Sequence, residues 1–171
     1  MRCVRVMRWV GFLLLFAGAA LAQSWMAYSP EGGRYHIDMP APPTVATEPI
    51  TWGGEKLTMT EAIARVPAAV YLVSYVDYPD RIAMAASSDV MLDKVRNGMA
   101  SGNTLRGEQK ITLGRATGRE FTITQASGGT TAVRLYWARN RLYQLLVSGN
   151  TGIEKQPDTR RFFDSFALVR P

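Results

Sequence analysis

The stretch TAVRLYWARNRLYQLLVS, Thr131 to Ser148, decides the fold class. Its first half alternates. Val133, Leu135 and Trp137 fall on one face, and Arg134 and Tyr136 share the other. A period of two marks a strand, because successive side chains of an extended chain point to opposite sides. Arg139-Asn140 supplies a tight tip, and Leu142 to Ser148 returns with Leu142, Leu145, Leu146 and Val147. Strands joined by so short a tip pair antiparallel. The same pattern recurs upstream. Arg119 to Gln125 reads as a strand with Phe121 and Ile123 inward, tied to the first by a turn at Gly128-Gly129. Thr104 to Leu113 precedes it, with Gly114 turning the chain. The C-terminal half is therefore a meander of antiparallel strands.

The N-terminal half uses the same code. Arg34 to Met39 alternates, with Tyr35, Ile37 and Met39 on one face, and Pro40, Pro42 and Pro43 end it. Val45 to Trp52 forms a strand, Gly53-Gly54 is a two-residue hairpin signal, and Glu55 to Val66 returns. Ala69 to Tyr78 differs, being apolar on both faces: Val70, Leu72 and Val76 point one way and Tyr71, Val73 and Tyr75 the other. Such a strand is expected at the centre of a sheet covered on both sides.

Two segments carry the helical period instead. Ser87-Ser88-Asp89 reads as an N-cap with an acid in the first turn. Met91, Leu92, Val95 and Met99 then recur as one apolar stripe, opposite Asp89, Asp93, Lys94, Arg96 and Asn97, with Gly102 as the stop. Pro157 stands at a first helical position, followed by Asp158, and Phe162, Phe163 and Phe166 make an aromatic face that should dock on the sheet. About six or seven mostly antiparallel strands in a single sheet, with one helix mid-chain and one at the end, is α+β.

The first 22 residues are of another kind. Arg2, Arg5 and Arg8 precede an apolar run from Val10 to Ala20, and Ala20-Leu21-Ala22 supplies a small-x-small site. Charge, apolar core and cleavage site in that order form a secretory signal peptide, cut between Ala22 and Gln23. The run is about a dozen residues long, short of the roughly 20 that span a bilayer. The sole cysteine, Cys3, lies in the charged head and not at the cut, so lipidation there is excluded. The expected organisation is residues 1–22 as a cleaved signal and 23–171 as a single α+β domain, periplasmic or secreted by bacterial Sec-type export. No stable membrane insertion is expected after cleavage. The mature chain would hold no cysteine, so packing alone must stabilise it. The net charge of +6 falls to +3 once the three signal arginines are removed. That is no electrostatic footprint for nucleic acid.

Two passages carry a family likeness. Tyr28-Ser29-Pro30-Glu31-Gly32-Gly33-Arg34-Tyr35, ahead of a strand ending in Met39-Pro40, resembles the opening of small exported bacterial domains of the PsbP/Mog1-like fold. Leu142-Tyr143-Gln144-Leu145-Leu146-Val147, followed by Arg161-Phe162-Phe163-Asp164-Ser165-Phe166, resembles their ending. The resemblance spans most of the mature chain as core positions and turns. It implies an antiparallel sheet sandwiched by helices. Its better-known relatives are accessory proteins, an extrinsic subunit of photosystem II and a small GTPase-binding factor. It implies a non-enzymatic role and no site residues.

Catalytic motifs are not found. His36, the one histidine, lies on the polar side of its strand and has no cysteine partner for zinc. No Gly-x-Ser-x-Gly elbow is present. Asp77 and Asp80 bracket Tyr78-Pro79 as a polar turn. Gly32-Gly33, Gly53-Gly54 and Gly128-Gly129 lack the Gly-Lys-Ser/Thr ending of a phosphate loop. No catalytic residue, metal ligand or cofactor is assigned. The candidate binding residues are Trp52, Arg119, Arg134, Tyr136 and Arg141, because arginine beside aromatic rings is what binding hot spots use. The function expected is an accessory or binding domain acting through protein contacts, its partner an envelope protein. The alternative is a periplasmic carrier of a small apolar or anionic ligand, which needs a cavity between sheet and helix lined partly by Met and Tyr. A hydrolase with an unrecognised site stands third.

Overall fold

The computed structural model describes residues 24–169, so the signal segment and the Ala22/Gln23 cut lie outside the described residues. The strands are β1 (Met26–Tyr28), β2 (Tyr35–Met39), β3 (Thr44–Trp52), β4 (Glu55–Val66) and β5 (Ala69–Asp77). A short helix α1 (Asp80–Ala83) and a longer helix α2 (Ser88–Ala100) follow. The meander is β6 (Thr104–Leu113), β7 (Ala116–Thr124), β8 (Thr130–Ala138) and β9 (Arg141–Gly149). A 3-10 turn (Ile153–Lys155), helix α3 (Pro157–Asp164) and strand β10 (Ala167–Leu168) complete the chain. The fold is α+β.

Seven strands form one antiparallel sheet in the order β3-β4-β5-β9-β8-β7-β6. The chain makes two meanders, β3 to β5 and β6 to β9, whose last strands pair with each other: Leu72 lies opposite Leu146 and Val76 opposite Leu142. The two-residue Gly53-Gly54 tip has positive φ at both positions (56° and 86°), the geometry that matches strand twist in a tight hairpin.

The expected single sheet needs correcting. β2 does not join the seven strands; it pairs with β1 and β10 in a separate three-stranded sheet, in the order β1-β2-β10. Its alternation was correctly legible, but Tyr35, Ile37 and Met39 point down onto the face of the large sheet rather than extending its edge. β1 and β10 are three and two residues long, too short for a period to show.

One face of the large sheet is covered by β2 and α3. There Tyr35, Ile37, Met39, Phe162, Phe163 and Phe166 pack with Tyr71, Val73, Tyr143, Leu145 and Val147. Tyr136 stacks on Phe166 at 5.7 Å and an interplanar angle of 9°. Burying a phenyl group contributes about 2–3 kcal/mol, so the three phenylalanines anchor this layer. Phe166 does so from beyond the helix end. Over the other face lies α2, capped by the Ser87 hydroxyl accepting from the Val90 amide. Met91, Leu92 and Val95 pack there with Phe121, Val133, Leu135, Trp137 and Leu142.

The cover on this second face is incomplete. Among the described residues α2 packs on it over β7 and β8, and Ile82 and Ala83 of α1 add a smaller contact. β5 lies inside the sheet as expected, yet Val70 and Leu72 on its α2 side remain only half-buried. A run of apolar residues on both faces reports high apolarity, not whether a second layer is present. Among the described residues no helix is long and apolar enough to cross a membrane.

Candidate binding trough

The five candidate binding residues do not form one surface. Strand parity sends Arg134, Tyr136 and Arg141 to the β2 and α3 face, and Trp52 and Arg119 to the α2 face. Four of the five are committed inward. Tyr136 is buried under Phe166. Arg134 donates to Glu120, and to Asp164 at 2.8 Å, and lies over the Phe163 ring at 4.9 Å. Arg141 forks onto Asp77 at 2.6 and 2.5 Å and donates to the Gly32 and Gly33 carbonyls at 2.7 and 2.8 Å. It thereby fixes the opening loop to β9, with the Tyr75 ring beneath its guanidinium at 4.3 Å.

Arg119 is the most enclosed of these cations, its side chain 3 % exposed. It meets Asp89 at 2.5 Å, Asp93 at 3.2 Å and Glu108 at 3.7 Å. Asp89 and Asp93, on the side of α2 opposite the apolar stripe, therefore help clamp the helix to the sheet. Asp89, Asp93 and Arg96 recur one turn apart on that side. A β-bulge between Arg106 and Gln109 turns Glu108 up to accept from Arg96 at 2.5 and 2.6 Å. Arg119 and Lys110 hold the Asp89 carboxyl below its ordinary range, chiefly through the hydrogen bond from Arg119. The expected arginine–aromatic patch is thus corrected. Period-two reasoning assigns a face, but not whether a layer lies over it.

Trp52 alone remains in an open position. It stands edge-on to Tyr78 at 5.5 Å and 89°, and lines a groove of about 260 Å³ between α2 and the β3–β4 hairpin. Ile50 and Met59 come from the hairpin, Val95 and Met99 from the helix, and Lys94 and Gly98 form the helix flank. Leu142, Gln144, Val76 and Tyr78 make the floor. Burial raises the Tyr78 hydroxyl to about 12, so it stays protonated at neutral pH.

The groove runs on along the bare part of the sheet. Register places Ile63, Leu72 and Leu146 side by side on β4, β5 and β9, all half-buried. Glu61, Ser74 and Gln144 form the next row toward the groove. The Ser74 hydroxyl is buried without a hydrogen-bond partner. Gln144 makes only a weak 3.6 Å contact to the Met59 sulfur through its amide nitrogen. Ion pairs to Glu48 and Glu61 are absent among the described residues. Groove and rows together form a trough whose floor alternates apolar rows with the polar Glu61–Ser74–Gln144 row, flanked by α2 on one side and by Glu48 on the β3 side. Sequence reasoning missed it. One signal was present, a glycine at position 98 inside a helical stripe.

Other chemistry is sparse. His36 is exposed on β2, and Asp38 accepts from Arg161 at 3.1 and 3.2 Å. Among the described residues no group of three or more His, Cys, Asp or Glu side chains is placed to hold a metal ion.

No known protein-family model matches the chain, and no curated protein matches it. Among solved structures, a Pseudomonas aeruginosa protein of unknown function, suggested to be a regulator, aligns with a TM-score of 0.48 and 11% identity. The alignment covers 86% of this chain and 98% of that one.

Proposed function

We propose that this chain is an exported accessory domain of PsbP/Mog1-like type that works, without catalysis, by holding part of another envelope protein against the trough. The observation that carries the reading is the incompletely covered sheet face, where Ile63, Leu72 and Leu146 stay partly exposed side by side at one end and Trp52 lines the groove at the other. Contiguous apolar surface on an otherwise packed domain marks an interaction site. Methionines at the groove suit a surface that adapts to its partner. The inward arginines are part of the fold's own support and leave the trough as the binding surface.

The test is in-cell photo-crosslinking from a reactive residue at position 72 of the tagged protein in its native envelope. One reproducible protein adduct, lost when Trp52 and Leu146 are changed to Ser, supports the reading. No protein adduct from this position, with the protein folded and exported, overturns it. N-terminal sequencing of the exported form should begin at Gln23.

A second reading, a carrier, draws on one observation: the groove lies between sheet and helix, lined by Met59, Met99 and Tyr78, with Lys94 at its rim. An apolar ligand with an anionic end suits that lining. Its volume of about 260 Å³ falls just below the usual small-molecule range of about 300–1,000 Å³. Native mass spectrometry of protein from the envelope decides it. A bound small molecule displaced by Met99→Trp favours the carrier, and bare protein sinks it.

A further inference from the structure

We infer that the occupant of the trough is an amphipathic α-helix of the partner, laid beside α2, with Lys or Arg along its β3 side. This deepens the accessory reading and rests on it. The first argument is width. Neighbouring strands lie about 4.8 Å apart, so β4, β5 and β9, which carry Ile63, Leu72 and Leu146, span about 10 Å, the diameter of one helix with its side chains. α2 already covers the β7 and β8 part of this face in that manner. The less covered part, with Ile63, Leu72 and Leu146 on its floor beside the Glu61–Ser74–Gln144 row, offers an amphipathic helix a seat of mixed character. Met59 and Ile63 stand four residues apart on β4, about 13 Å, which matches positions i and i+8 or i+9 of a helix.

The second argument is Gly98. It lies on the flank of α2 that lines the groove, and a Cβ added there would meet nothing within 4 Å. Its φ is not in the left-handed region, so the backbone does not require glycine. Glycine is among the poorest helix formers, and packing among the described residues gives no reason for it. A glycine on a helix flank lets a neighbouring helix approach closely.

The third argument is charge. Glu48 on β3, opposite Met59, and Glu61 on β4, in the row with Ser74 and Gln144, face the trough and make no ion pair among the described residues, while Lys94 lines the groove from α2. A docked helix with basic residues toward β3 and an acid toward Lys94 would complement both walls. An added strand fits less well. Pro49 sits within edge strand β3, where it removes a backbone donor that a paired strand would need. An anionic lipid surface is repelled by the same two glutamates.

The test uses the position-72 photo-crosslink in the full-length exported protein and identifies the partner peptide by mass spectrometry. The expected adduct is a segment with apolar residues at i, i+3 or i+4 and i+7 and a Lys/Arg-rich flank. Gly98→Leu should keep or raise the melting temperature yet cut the yield at least fivefold. Glu48→Lys with Glu61→Lys should cut it similarly. An adduct without helical apolar period or basic flank, an adduct to a second copy or to lipid, or an unchanged yield in Gly98→Leu overturns the helix assignment. A protein adduct of the wrong chemistry sinks the helix alone. No protein adduct sinks the accessory reading with it.

Discussion

Replacing Arg141 tests whether a buried arginine supports this fold through its fork and not merely through its charge. Its side chain is 5% exposed, against 50% for Asp77. In Arg141→Met the stem packing is kept and four hydrogen bonds go. The Asp77 carboxylate rehydrates, so that pair accounts for about 1 kcal/mol at most. The two bonds to the Gly32 and Gly33 carbonyls are charge-assisted and worth about 1.5–3 kcal/mol each. Gly32 is exposed and recovers water, while the Gly33 carbonyl keeps only the Tyr143 hydroxyl at 3.2 Å. The net cost is about 3 kcal/mol, or about 6–12 °C in melting temperature for a domain near 150 residues. Urea and thermal unfolding of the mature protein measure it. Hydrogen exchange should show the Gly33 amide, which donates to Pro30 at 3.1 Å, losing protection first. Arg141→Lys should recover less than half of the loss, because one ammonium cannot serve a carboxylate and two carbonyls together. A shift below about 2 °C for Met, or full stability for Lys, refutes the fork argument.

Gly118→Ala should cost about 1–3 kcal/mol by urea unfolding, because its Cβ would lie 2.6 Å from the Leu135 carbonyl oxygen and 2.7 Å from the Tyr136 ring. Asp89→Asn should lower stability at neutral pH. The folded Asp89 ionises below its unfolded value near 3.8, so its contribution is present above that pH and vanishes as pH falls through the folded value. The unfolding midpoints of parent and variant should therefore converge once the pH has fallen through the folded value. At the alkaline end, Tyr71 and Tyr78 are raised to about 12 chiefly by burial, from 10.0. Their contribution is complete below about pH 10 and is lost as pH rises toward 12, so Tyr71→Phe with Tyr78→Phe should flatten the alkaline fall in urea midpoint.

Much of the architecture could be read from local pattern. The alternation of Val133, Leu135 and Trp137, the Gly53-Gly54 tip, the Ser87 cap and the Met91–Leu92–Val95 stripe each express a single-element property, and each reappears in the folded chain. Phe162 and Phe163 were legible as core for the same reason. The candidate site was not. Arg134 and Arg141 carry the composition of a hot spot, and nothing local distinguishes a guanidinium facing water from one facing Glu120, Asp164 or Asp77. Those acids lie 14, 30 and 64 residues away in the chain.

The sequence by itself determined the longer strands, their hairpin neighbours, the stripes of the two longer helices and the α+β class, because these follow from periods of two and 3.6 and from turn chemistry within a few residues. Only the tertiary structure decided that β2 leaves the main sheet, that Asp89 and Asp93 of α2 reach the enclosed Arg119, and that Ile63, Leu72 and Leu146 on one sheet face stay only half-buried. Each of these depends on which layer lies over a given face. That is settled by contacts between residues far apart in the chain, and period and propensity carry no record of them.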